Sequence, residues 1–205
     1  MTATASTLPG ATPSLVTPTS KPVHSTAWWG MATVIATESM VFVILLGAYF
    51  FLRASTAQWP PDGIKGPEMI LTVPFSFVLW GSSIPIFYAE AAIRRGSQRG
   101  LRVGLLVSAV MGVAFVAYTF KDFYDLKFGW RDNAYGSIFY LIVGLHVLHV
   151  LVGLSMNAVV QIKAWQGKFT ATRHTSVDVF SLYWHFVDAV WIFVFASLFL
   201  SEVWR

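Results

Sequence analysis

Residues Ser181-Leu182-Tyr183-Trp184-His185-Phe186-Val187-Asp188-Ala189-Val190-Trp191 set a histidine and a carboxylate three positions apart in a run, near 179–201, that is otherwise apolar. At about 1.5 Å of rise per residue, a helix of that length crosses a hydrocarbon core of roughly 30 Å. Ionisable groups at such depth are costly, so they mark function or a paired partner. Four further apolar stretches, near 28–52, 68–93, 102–120 and 136–162, have the same reach. The chain therefore reads as all-α, a polytopic membrane protein built as a bundle of five transmembrane helices.

Composition agrees with this class. Of 205 residues, 56% are hydrophobic and only 12% charged, against about a quarter charged in an average soluble domain. The formal charge of +4 comes from 14 basic residues against 10 acidic ones. Because the basic residues cluster at the ends of apolar runs, they read as topology determinants and imply no nucleic-acid partner. The absence of cysteine excludes disulfides, thiolate metal sites, iron–sulfur clusters and cysteine nucleophiles. No phosphate loop, nucleophile elbow or catalytic triad is visible in the sequence.

Residues 1–27 are rich in Thr, Ser, Pro and Ala and carry one charged side chain, Lys21. They read as a flexible polar tail rather than a signal peptide, leaving 28–205 as the transmembrane domain. Pro60-Pro61-Asp62-Gly63 and Arg94-Arg95-Gly96-Ser97-Gln98-Arg99-Gly100 have loop compositions, as do 121–132 and 163–178. Pro74 and Pro85 fall inside the second apolar stretch, where kinks rather than an interruption are expected. With five crossings, the side of the N-terminus holds Lys21, Arg94, Arg95, Arg99, Arg102, Lys163, Lys168 and Arg173, eight basic residues. The opposite side holds six: Arg53, Lys65, Lys121, Lys127, Arg131 and Arg205. This bias predicts a cytoplasmic N-terminus and an external C-terminus. Trp28, Trp29, Trp59, Trp130, Trp165 and Trp204 lie near the expected helix ends, as interfacial belts do.

Glu38 lies about 15 Å into the first span at helical rise, near the bilayer midplane, between Thr37 and Ser39. An unpaired carboxylate is unfavourable there, so Glu38 reads either as a group that handles protons or tunes a neighbouring subunit, or as a neutral acid fixing helix packing. His146 and His149 are spaced i, i+3 and share a helix face. With His185 and Asp188 they could begin a metal site. Interhelical hydrogen bonding between these histidines and the deep carboxyls is the stronger reading. His185 and Asp188, also i, i+3, read either as a proton relay or as a satisfied packing pair. Glu90, four residues before Arg94, has the spacing of a surface ion pair. Gly47, Gly81, Ser82, Ser83, Gly104, Gly112, Gly144 and Gly153 permit close helix approach and a compact bundle with a further protein-facing surface.

Taken together, these segments resemble subunit III of the haem–copper cytochrome oxidases, the cytochrome c oxidase subunit III family. The resemblance is carried by Tyr183-Trp184-His185-Phe186-Val187-Asp188 with Val190-Trp191, preceded by Phe169-Thr170, His174 and Asp178. Tyr135-Gly136-Ser137 leading to Gly144-Leu145-His146, His149-Val150 and Gly153 is similar to the penultimate helix, and Thr37-Glu38-Ser39-Met40-Val41-Phe42 to the helix with the buried glutamate. It spans roughly 28–201 and fits the five-helix form rather than the seven-helix one. Val147 stands where the family commonly has glycine after the first histidine.

The resemblance implies a non-catalytic subunit without redox cofactors of its own. Haem and copper would belong to the partner subunits I and II, and phospholipid would occupy grooves of the bundle. Such a subunit sits in the bacterial cell membrane, stabilises the catalytic subunit and supports proton uptake, with Glu38 linked to His149 or His146. Cytochrome c, or a supercomplex, would be met through the whole complex. A quinol oxidase subunit III and an accessory subunit of nitric oxide reductase are the nearest rivals. An independent His/carboxylate metalloenzyme and a small ion transporter using Glu38 and Asp188 are more distant ones.

Overall fold

A computed structural model of the chain describes residues 25–61 and 69–200. Most of the expected polar tail, part of the first loop and Trp204 lie outside the described residues. The elements are α1 (Thr26–Ser55), α2 (Met69–Gly81), α3 (Ser83–Arg94), α4 (Gln98–Asp125), α5 (Ala134–Trp165) and α6 (Thr175–Phe195), the last running into a π-helical turn over Ala196–Leu200. With α2 and α3 taken as one span, five helices among the described residues are long and apolar enough to cross a membrane. The expected all-α five-helix bundle is the fold observed.

Local chemistry fixes where the helices begin. Ser25, Ser97 and Asn133 cap α1, α4 and α5, each side chain accepting a first-turn backbone N–H, from Trp28, Gly100 and Gly136 respectively. Gly96, with φ of 78°, supplies the left-handed residue that closes α3 and turns the chain into α4.

Pro74 sits within α2 without interrupting it. Near Pro85 the result differs from the simple kink expected. Proline has no N–H to offer the carbonyl four residues earlier, that of Gly81, and regular helix lapses for one residue, at Ser82. The backbone of Ser82 keeps helical angles, and its N–H still reaches the carbonyls of Val78 and Leu79 at 3.1 and 2.9 Å. The lapse matters because Ser82 and Ser83 both face α6.

Close packing centres on α6. The fully buried indole of Trp184 lies between Gly112 of α4 and Gly153 of α5. A Cβ at either glycine would stand 2.8 or 2.9 Å from a ring carbon. Absence of a side chain at those two positions makes the slot. α3 and α4 approach equally closely, since a Cβ at Gly104 would lie 2.4 Å from the backbone oxygen of Pro85.

By contrast, α1 is peripheral. It packs on α5 and α6, buries only Phe42 and Tyr49, and exposes Val43, Ile44 and Phe51. Trp29, Trp130 and Trp165 are exposed near helix ends, as interfacial residues are. Trp59 is not: at 2% exposure it is enclosed by the rings of Tyr49 and Tyr135. Proximity to a helix end led to its placement in the belt, and the aromatic partners that draw it inward come from distant sequence.

Candidate functional site

The ionisable residues singled out in the sequence form two separate polar centres and one aromatic pocket. The first centre joins α1 to α5: His149 Nε2 lies 3.3 Å from Glu38 Oε2, and His149 Nδ1 donates to the carbonyl of Leu145 at 2.8 Å. Since the Leu145 carbonyl can only accept, Nδ1 carries hydrogen. The Nε2 to Glu38 contact then needs one proton, held either by the carboxyl or by the imidazole. The pair is thus a one-proton device whichever atom holds it. Tyr183 of α6 donates to the carbonyl of His149 at 3.3 Å and ties this centre to the last helix.

Glu38 is less enclosed than the buried carboxyl that the family resemblance implies. Its side chain is 39% exposed while that of His149 is 10% exposed. A mid-span carboxyl on the outer face of a bundle meets lipid or another protein rather than bulk water.

His146 is in neither centre. Fully buried, it stacks on Trp191 with centroids 4.6 Å apart and faces the edges of Phe42 and Phe115. Neither ring nitrogen has a hydrogen-bond partner among the described residues. The i, i+3 spacing was read as one shared face, yet α5 is wrapped on several sides, so His149 reaches α1 while His146 enters the aromatic core. The imidazole partner of Glu38 is therefore His149.

The second centre joins α3 to α6. Ser83 Oγ lies 2.9 Å from His185 Nδ1 and donates to Asp188 Oδ2. His185 stacks on Phe87 with centroids 4.2 Å apart, and Asp188 is 6% exposed. A cavity of about 480 Å³ adjoins this centre toward the N-terminal side, with Glu90, Arg94, His174, Asp178 and His185 in its wall. Arg94 reaches Glu90 at 3.9 Å, as its spacing predicts, and also Asp178 at 3.8 Å, while His174 Nε2 is 3.7 Å from Asp178.

Ser82, at the α2–α3 junction, and Ser76 of α2 continue the contact along α6: Trp184 Nε1 donates to Ser82 Oγ at 2.8 Å, and Trp191 Nε1 to Ser76 Oγ at 3.0 Å. In the sequence Ser82 and Ser83 stood out only as small residues. Their neighbour Pro85, which opens the helix beside them, was the available signal for a polar role.

The four-residue metal centre considered from the sequence does not form, because its members divide between the two centres and the aromatic pocket. Among the described residues no group of three or more His, Asp and Glu is arranged to hold a metal ion.

Comparison with known proteins gives concordant results. The profile of the family described as Cytochrome c oxidase subunit III matches residues 14–203. A protein of Thermostichus vulcanus named cytochrome c oxidase subunit 3 is 34% identical over 172 residues, covering 83% of this chain and 85% of its own. One of the same name from Synechocystis sp. is 35% identical, with 84% and 74% covered. That of Oryctolagus cuniculus is 30% identical, with 83% and 68% covered.

Proposed function

The chain belongs to the cytochrome c oxidase subunit III family and is subunit III of a haem–copper oxidase of the respiratory chain, from which we infer how its two polar centres serve the assembly. It acts as a multi-pass membrane subunit of a complex. The partners in this reading are the catalytic subunit I and subunit II, which hold the haem and copper that reduce oxygen to water. This chain contributes packing against the catalytic subunit and proton supply to it.

The single observation that carries this reading is the Glu38–His149 pair on the loosely covered helix α1. A carboxyl 39% exposed at mid-span is unfavourable against lipid, and the apolar residues Val43, Ile44 and Phe51 are exposed on the same helix. Cover by a partner subunit resolves both. A Glu–His pair that shares one proton, placed at such a contact, suits proton handling in support of a neighbour.

Lipid has a place in the same reading. A groove of about 630 Å³ between α5 and α6 is lined by Leu148, Leu151, Val152, Met156 and Val159, with Lys163 at its N-terminal-side end. Apolar walls fit an acyl chain, and the ammonium suits a phosphodiester. The loop charges support a cytoplasmic N-terminus in a bacterial cell membrane.

Glu38→Gln tests the proton-handling role, because glutamine keeps the shape and removes the titratable carboxyl. Assembly is expected to persist, while oxidase activity decays faster during sustained turnover or proton uptake falls. Unchanged kinetics and durability would restrict Glu38 to packing.

A further inference from the structure

Charge at the N-terminal-side end of the bundle is mostly basic: Arg94, Arg95, Arg99 and Arg102, with Lys163, Lys168 and Arg173. The described carboxylates at that end, Glu90 and Asp178, both stand in the wall of the cavity of about 480 Å³. Arg94 lies 3.9 Å from Glu90 and 3.8 Å from Asp178, and His174 Nε2 is 3.7 Å from Asp178. All three separations exceed a hydrogen-bond length, and Asp178 Oδ1 has no hydrogen-bond partner among the described residues. The Arg94 side chain is 62% exposed. One loosely held guanidinium at the mouth therefore faces two carboxylates in the recess, and a negative charge there is left without a close partner.

This recess continues into an apolar crevice. α1 and α3 both pack on α6 and barely meet each other, so α6 forms the floor between them. Along that floor Asp178, Leu182, His185, Ala189 and Ile192 recur at helical spacing, and the last two are exposed. On the α3 side Phe87 stacks on His185 and is itself exposed, as is Ile84 about one turn deeper. Trp28 of α1 stands at the mouth, at the level where indoles meet lipid headgroups.

We propose that the crevice between α1 and α3 binds one phospholipid with a primary-amine headgroup, phosphatidylethanolamine. Its ammonium sits between Glu90 and Asp178, its phosphodiester meets Arg94 at the mouth, and an acyl chain runs over Phe87, Ala189 and Ile192. The site is separate from the groove that ends at Lys163, which lies on the α5 side of α6. It rests on the subunit III reading only for its placement in a membrane complex.

The order of charges selects this headgroup. An ammonium has three N–H donors, enough to serve both carboxylates with charge-assisted hydrogen bonds. A choline headgroup has the same charge but no N–H to donate. A glycerol headgroup brings a phosphodiester without a cation and leaves the carboxylates unpaired. A lone lysine from a partner subunit would satisfy the recess but leave Arg94 without an anion, whereas a zwitterion answers both. The Lys163 groove has no carboxylate in its wall, so its ammonium suits any phosphodiester and does not discriminate among headgroups.

Native mass spectrometry of the intact oxidase, delipidated and then offered phosphatidylethanolamine, phosphatidylcholine or phosphatidylglycerol, tests the site. The expected result is one tightly retained phosphatidylethanolamine that the other two lipids do not displace. Asp178→Asn is expected to weaken its retention by about tenfold or more, the size of one lost charge-assisted hydrogen bond, while Lys163→Ala leaves it unchanged. Equal retention of phosphatidylcholine, or retention unaltered in Asp178→Asn, overturns the proposal. So does an oxidase that takes up no lipid here, which would mean that a partner subunit fills the recess. Displacement by free phosphoethanolamine would assign the site to a soluble compound and overturn the lipid reading. If Asp178→Asn fails to assemble, Glu90→Gln decides in its place. Failure of the subunit III reading would show separately, as absence of haem from the purified preparation.

Discussion

Trp184 shows how much one side chain organises. Its ring fills a slot left by Gly112 and Gly153, and its N–H donates to Ser82, so α4, α5 and the junction between α2 and α3 all depend on it. The two kinds of contact differ in size. An interhelical hydrogen bond inside a membrane is worth about 0.6 kcal/mol on average and up to ~1.7, whereas forcing a methyl into a filled slot costs about 1–3 kcal/mol. Gly153→Ala is therefore expected to lower thermal stability of the detergent-solubilised protein more than Ser82→Ala. The reverse order would show that hydrogen bonding, rather than shape, holds this seam. Legibility divides on the same chemistry. Glu38, His149, His185 and Asp188 announce themselves because charge is rare in apolar runs. Ser82 and Ser83 do not, since serine is ordinary in membrane helices and its partners lie about a hundred positions away. The division of His146 from His149 was equally hidden, because periodicity places residues on a helix face but not the neighbours around it.

Among the elements, α3 and α4 form the tightest pair and α1 the loosest. A Cβ at Gly104 would meet a backbone oxygen at 2.4 Å, and backbone cannot swing aside as a side chain can. Gly104→Ala is expected to push α3 away from α4 and, with it, Ser83 away from α6. In a scan of the helix glycines by thermal melting it should be among the most destabilising, with a melting temperature equal to wild type counting against the packing described. Helix existence was legible throughout, because length and apolarity suffice to define a span. The lapse at Ser82 was only half legible: Pro85 marks a weakened hydrogen-bond ladder, yet whether a helix bends or opens depends on what compensates the freed carbonyl. Here α6 presents indole and carboxyl partners to the serines at that point.

At the level of the whole molecule, a bundle with a close-packed seam at α6 and an exposed carboxyl on its outermost helix is built to be completed by something else. The proposed membrane orientation, argued from the loop charges, is open to test: a reporter fused after residue 205 is expected to be active outside the cytoplasm and one placed in the turn at residues 95–97 inside it, and the opposite pattern would invert the proposed topology. Family and membrane class were legible in the chain because the Tyr183 to Trp191 stretch combines rare residues in a fixed order. Which residues meet a partner was not, since a surface facing lipid and one facing another apolar subunit have the same composition. The most direct measurement is to solubilise membranes gently, purify through a tag on this chain, and record a reduced-minus-oxidised spectrum beside mass spectrometry of the co-purifying proteins. Haem absorbance together with a large catalytic subunit is the predicted result. A haem-free preparation containing this chain alone would contradict its place in an oxidase.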